Sequence, residues 1–180
     1  MNVALFGGSF NPPHLGHALV CAHVLSTEPV EELWMMPSAV HPFGKALAPF
    51  EDRAAMCRLV ADAFGGRVRV TDVEQRLGGE GRTVDTLEHL ARTQPEHRFS
   101  LVMGADLVAE RAAWKSWERI AELARIVPVG RAGHGSDGGA LELPAVSSTE
   151  VRERLARGES CVQLVPRRVL AYIAARGLYR

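Results

Sequence analysis

The chain has 180 residues, 47% of them hydrophobic and 23% charged, which is the balance of an ordinary globular domain and excludes general disorder. Lys plus Arg (21) equals Asp plus Glu (21), so no basic excess points to nucleic acid. Three widely spaced cysteines with no CxxC read as reduced, partly buried thiols of a cytoplasmic protein.

Met1-Asn2 runs into the short apolar segment Val3–Phe6, which two glycines stop, a pattern of neither a signal peptide nor a membrane span. That segment reads as a strand. Leu15–Ser26 follows as a helix, Glu32–Met36 as a strand, and Glu51–Phe64 as a helix with acids in its first turn and Gly65-Gly66 after it. Arg67–Val70, Arg98–Met103 and Arg125–Val129 are further strands, with helices over Val84–Arg92 and Trp114–Leu123 between them. Strand and helix alternating this often predict an α/β fold, a doubly wound parallel sheet covered on both faces. Residues 130–140 form a glycine-rich loop, and two helices close the chain, Val146–Arg157 and Pro166–Arg176. One domain over 1–180 is expected, with an α/β core over 1–130 and a phosphate-binding helical part over 141–180.

Gly133 to Gly138 match GxGxxG. The segment after them, through Pro144, is no helix start, so this is read as a surface loop rather than a dinucleotide site. The stretch Gly7-Gly8-Ser9-Phe10-Asn11-Pro12-Pro13-His14-Leu15-Gly16-His17 differs in kind. It joins the first strand to the first helix at the carboxyl edge of the sheet, where glycines admit a ligand to the backbone and a helix start offers N–H groups to an anion. His14 and His17, three apart, face one side of the helical turn. Taken singly, His14 reads as a cap and His17 as a core histidine; taken with the glycines and the strand end, the pair suits a phosphate whose charge grows during reaction. No P-loop lysine is present, and the spacing and surroundings are not those of a zinc site.

A second anion-binding element lies at Val146-Ser147-Ser148-Thr149-Glu150-Val151-Arg152. Ser147 with Glu150 is also a capping box, and Glu153 with Arg157 an i,i+4 pair. Three hydroxyls at a helix start followed by an arginine nevertheless make a phosphate cradle. From residue 150 onward seven arginines face three acids, so the neutral total hides a basic end suited to a triphosphate.

With both motifs in this order, the chain resembles the HxGH nucleotidyltransferase superfamily. Within it, Arg82-Thr83-Val84-Asp85-Thr86-Leu87, Met103-Gly104-Ala105-Asp106-Leu107 with Trp114 and Trp117 after it, Val129-Gly130-Arg131, and the ending Tyr172-Ile173 to Leu178-Tyr179 are similar to bacterial nicotinate-mononucleotide adenylyltransferases. The resemblance implies a Rossmann-like fold and adenylyl transfer from ATP, with Mg²⁺ on the triphosphate, to nicotinate mononucleotide. It implies His14 and His17 on the ATP phosphates, and Gly8, Ser9 and Phe10 lining the nucleotide site. Ser147, Ser148, Thr149 and Arg152 would hold the phosphate tail, and Gly104 and Asp106 would meet the ribose. Thr83 and Trp114 would face the pyridine nucleotide, with the indole stacking on its ring, and Trp117 would be structural. Thr83 is equally a good N-cap. The family's compact Pro-His-Lys turn is here spread over Pro37 to Lys45, so Lys45 or His41 would take the lysine's part. Phosphopantetheine adenylyl transfer and ATP sensing without reaction are the alternatives; neither nucleic acid nor membrane is expected as a partner. Nicotinate or nicotinamide specificity stays open, as does the oligomeric state, a homodimer included.

Overall fold

The computed structural model describes residues 1–40, 46–109, 111, 114–130, 144 and 146–180. Five strands, β1 (Asn2–Gly8), β2 (Glu32–Pro37), β3 (Val68–Val70), β4 (Arg98–Gly104) and β5 (Ala124–Val129), pair in parallel in the order β3-β2-β1-β4-β5. Around them run α1 (Leu15–Thr27), α2 (Phe50–Ala61), α3 (Val73–Leu77), α4 (Thr83–Thr93), α5 (Ala105–Ala109), α6 (Trp117–Leu123), α7 (Ser148–Ala156) and α8 (Arg167–Arg176).

Side chains alternate along a strand, and both faces of this sheet are covered. Ala4 and Phe6 of β1 point into a core closed by Cys21 and Val24 of α1, Met56 and Val60 of α2, Val151 of α7 and Ile173 of α8. Val3 and Leu5 point the other way, into a core closed by Val73 of α3, Leu87 and Leu90 of α4 and Ile120 of α6. Each fully buried aliphatic side chain contributes about 1.5–3 kcal/mol. The three cysteines are free and buried, and burial pushes the Cys21 thiol up to about 12. Among the described residues, no helix is long and apolar enough to cross a membrane.

All five strands fall where the apolar runs place them. Two helices go beyond the sequence reading: α3 and α5 are five residues each, too short for a helical period to emerge. The helix predicted from Trp114 begins only at Trp117, because Ser116 takes a left-handed conformation (φ 58°) that breaks it. From β1 the chain builds outward to β2 and β3, then crosses back to β4 and β5. That reversal leaves a crevice at the carboxyl ends of β1 and β4, where open α/β sheets bind ligands.

Candidate active site

The chain leaves β1 at Gly8, and the loop turns at Phe10, a non-glycine residue with φ 45°. Phe10 is fully buried, edge-on to Phe6 (centroids 5.4 Å apart) and to His17 (4.8 Å). A Cβ on Gly8 would lie 3.2 Å from the Phe10 ring, so this glycine makes room for the loop's own aromatic. The Phe10 side chain therefore packs against the imidazole and has no exposed surface to offer a ligand, contrary to its expected place in the lining of a site.

His14 occupies the N-cap of α1 and is buried; His17 is half-buried one turn on. Their rings lie 3.7 Å apart, tilted by 31°. The His14 backbone N–H donates to Nδ1 of His17 at 3.1 Å, so the neutral His17 ring carries its proton on Nε2. A Cβ on Gly16 would lie 3.0 Å from the His14 ring, which is why that position holds glycine. At the helix start the Leu15 N–H donates to the carbonyl of Leu164 at 2.8 Å.

The second motif comes directly onto the first. Ser147 caps α7, its hydroxyl accepting the Glu150 N–H at 3.1 Å. The Glu150 carboxylate does not complete the capping box; it pairs with Arg154 at 3.4 Å, and Arg157 pairs with Glu159 (2.6 Å) rather than Glu153. Ser148 donates its hydroxyl to the Pro12 carbonyl at 2.9 Å, and Arg152 donates from Nη1 to the Asn11 carbonyl at 2.8 Å. Nη2 of Arg152 reaches the Thr149 hydroxyl at 3.3 Å. Between these groups lies a recess of about 80 Å³ lined by Ser9, Asn11, Ala46, Leu47, Ser148, Thr149 and Arg152. That is well below the ~300–1,000 Å³ of a small-molecule pocket and fits a phosphate-sized group. A larger open cleft of about 580 Å³ lies at the opposite edge of the sheet, around His97, Arg98 and Arg125, and contains none of the predicted site residues.

Four side chains that the sequence reading passed over hold this arrangement. Asn11 is buried; its Oδ1 accepts the Ala48 N–H (3.1 Å) and the Tyr179 hydroxyl (2.8 Å). Arg53 is 1% exposed, donating to the carbonyls of Ser9 and Ala48 at 2.9 Å each. Burial lowers its pKa, since desolvation disfavours the charged form. Asp52, buried beside it, accepts the Tyr172 hydroxyl (2.8 Å) and Nε of Arg176 (2.9 Å), and these bonds hold its carboxyl below the usual range. Glu74 is the fourth: burial pushes it up to about 7, against the Ala39 N–H and the charge of Arg53. A signal for Arg53 was present in the sequence, because Met56, Cys57 and Val60 follow it at helical spacing and put it on the buried face of α2.

The other predicted residues lie along the same edge. Gly104 ends β4, and the pairing of Phe6 with Val102 sets it level with Gly8 across the crevice. Asp106 falls in α5, immediately after. Thr83 opens α4, with Arg82 rather than Thr83 at the cap. Trp114 is half-buried against the α4–α6 core, its ring 6.5 Å from that of Trp117, which packs on the same core. His41, Lys45 and Arg131 lie outside the described residues, as does the GxGxxG string. Among the described residues no three His, Cys, Asp or Glu side chains gather to hold a metal.

The cytidylyltransferase-like family model matches residues 5–154. A "Probable nicotinate-nucleotide adenylyltransferase" of Anaeromyxobacter dehalogenans (strain 2CP-C) is 55% identical over 99% of this chain and 96% of its own length. A protein of the same name in Myxococcus xanthus is 44% identical over 99% of this chain and 95% of its own. The solved structure of Plasmodium falciparum nicotinic acid mononucleotide adenylyltransferase complexed with NaAD superposes with a TM-score of 0.82 at 18% identity, covering 99% of this chain and 97% of that one.

Proposed function

Because the chain belongs to the nicotinate-nucleotide adenylyltransferases of the cytidylyltransferase-like family, we propose that it transfers the adenylyl group of ATP to nicotinate mononucleotide, giving deamido-NAD and pyrophosphate. The observation that carries this reading is the direct bonding of Ser148 and Arg152 to the Pro12 and Asn11 carbonyls, which brings two distant motifs together around one small recess.

In this reading an oxygen of the acceptor's 5′-phosphate attacks the α-phosphorus of ATP, and the α–β bridging bond breaks as pyrophosphate leaves with the electron pair. Such transfers need positioning and charge stabilisation more than covalent help. His17, its Nδ1 tied down, directs Nε2–H to the phosphates, with His14 beside it. Gly8 and Ser9 give the backbone wall of the nucleotide site, with Phe10 underneath. Ser147, Ser148, Thr149 and Arg152 hold the leaving pyrophosphate, Gly104 and Asp106 meet the ribose, and Thr83, Trp114 and Lys45 receive the acceptor. Mg²⁺ would come bound to ATP, since it prefers hard oxygen ligands, and would supply positive charge at the triphosphate beside Ser148, Thr149 and Arg152. The reading takes 1–180 as one domain of a cytoplasmic enzyme with no nucleic-acid or membrane partner, and it fixes no oligomeric state.

Pyrophosphate release with ATP and each acceptor tests it. Turnover with nicotinate mononucleotide, exceeding that with nicotinamide mononucleotide and phosphopantetheine, is the expected result. No release with either mononucleotide overturns it.

A further inference from the structure

Glu74 sits in α3, just past the end of β3, and is 8% exposed. Its Oε2 accepts the Ala39 N–H at 3.3 Å. The residue before, Ser38, donates its N–H to the Gly8 carbonyl at 2.9 Å. The short piece of chain leaving β2 is thus held on one side by the phosphate loop and on the other by this carboxylate. Glu74 also meets the turn that leads into α4. Gly78, Gly79 and Gly81 all take positive φ there, and a chain of glycines has little preference of its own. The backbone carbonyl of Glu74 accepts the Gly78 N–H at 3.1 Å, and at Gly81 the space a Cβ would take is bounded by Cγ2 of Val40 (3.2 Å) and Oε2 of Glu74 (3.7 Å).

We propose that Glu74 is a positioning residue for the acceptor half of the site: its carboxylate clamps the chain after β2 against the glycine turn, and so fixes where α4 begins with Thr83. The inference rests on reading the chain as an enzyme with a mononucleotide acceptor. Among the described residues, the charged group facing Glu74 is Arg53, from α2. The neighbouring charges, Glu80 with Arg82 in the turn and Asp72 with Arg76 along α3, are paired with one another at the surface. Burying a carboxylate is costly unless it is paired or hydrogen-bonded, and the bond it makes holds Ala39 beside the glycine turn that precedes Thr83.

The test compares wild type, Glu74→Ala and Glu74→Gln in steady-state kinetics with ATP and nicotinate mononucleotide. Glu74→Ala is expected to raise KM for the mononucleotide about tenfold, with kcat and KM for ATP within about threefold of wild type. Glu74→Gln keeps an acceptor for Ala39 and restores most of that KM. The ratio of mononucleotide KM between Glu74→Gln and wild type is expected to change through pH 7, where only wild type has the titrating carboxyl; taking the ratio cancels the ionisation of the substrate and of the histidines. Equal loss of both substrates in Glu74→Ala, or a pH-independent ratio, overturns the proposal. If Glu74→Ala does not fold, the Glu74→Gln ratio decides alone. Wild-type turnover of the mononucleotide keeps failure here separate from failure of the function itself.

Discussion

Arg152 of α7 donates from Nη1 to the carbonyl of Asn11 at 2.8 Å, across 141 residues of sequence. Its Nη2 meets Thr149, so one guanidinium fastens the loop after β1 to the start of α7. Asn11 is in turn bonded through Oδ1 to Tyr179 and Ala48. Four segments of the chain therefore share one small polar network, and the recess at its surface is shaped by the protein's own bonds. Donors held in place in this way act on developing charge without reorganising.

A lysine at position 152 carries the charge but not the planar fork that spans two acceptors. Arg152→Lys is expected to lower kcat/KM for ATP by roughly 10–100-fold, measured by pyrophosphate release. A value within twofold of wild type would show that charge alone suffices there.

His17→Ala removes the Nε2–H donor and the ring above Phe10. The expected loss is in kcat, about 3–4 kcal/mol of transition-state stabilisation by comparison with other preorganised donors. Near-normal turnover would remove His17 from the chemistry.

Gly16→Ala separates stability from activity. Alanine in a helix is ordinarily better than glycine by about 0.5–1 kcal/mol. Here its methyl group would lie 3.0 Å from the His14 ring, closer than carbon atoms settle. The ring must move, so kcat is expected to drop about tenfold while the urea midpoint stays near wild type. Unchanged kcat would mean that the position of the His14 ring is immaterial.

The fold was legible because strands buried on both faces appear as short apolar runs, and because β1 ends in glycines that mark the first motif. The motifs themselves stood out by residue type. Their contact did not, since nothing local to Asn11 announces a bond to Arg152 or Tyr179. The role of Phe10 was hidden for a different reason: its positive φ turns the ring inward, and an aromatic beside a motif reads as a ligand platform until the backbone is seen. Arg53 was legible in principle, as a charge on an apolar stripe. Glu74 was not, because the glycines around it suggest a surface loop, whereas the strand ends bury it.

Asp52 couples stability to acid pH. Its carboxyl is held below the ordinary value by the Tyr172 hydroxyl and Arg176, so near that value the unfolded chain binds more protons than the folded one. The contribution is present above the unfolded pKa and fades as pH falls through the folded one. In urea melts from pH 7 down to pH 2, the stability advantage of wild type over Asp52→Asn should hold steady at first and shrink in the acid limb. A gap that does not change with pH would mean that the bonds to α8 are indifferent to the charge.

Glu74 works in the opposite direction. Burial raises its pKa from the usual glutamate range to about 7, so between about pH 4.5 and 7 the folded state binds the extra proton. Raising the pH across that window costs wild type stability, because the folded protein must hold a buried carboxylate that the unfolded chain would leave in water. Glu74→Gln escapes this. Its stability relative to wild type should rise from pH 4.5 to 7 and level off above, in urea midpoints taken at each pH. A flat difference would show that Arg53 and the Ala39 N–H offset the desolvation in full; the carboxylate would then be at rest in its site, and the clamp on the glycine turn would come without a stability cost.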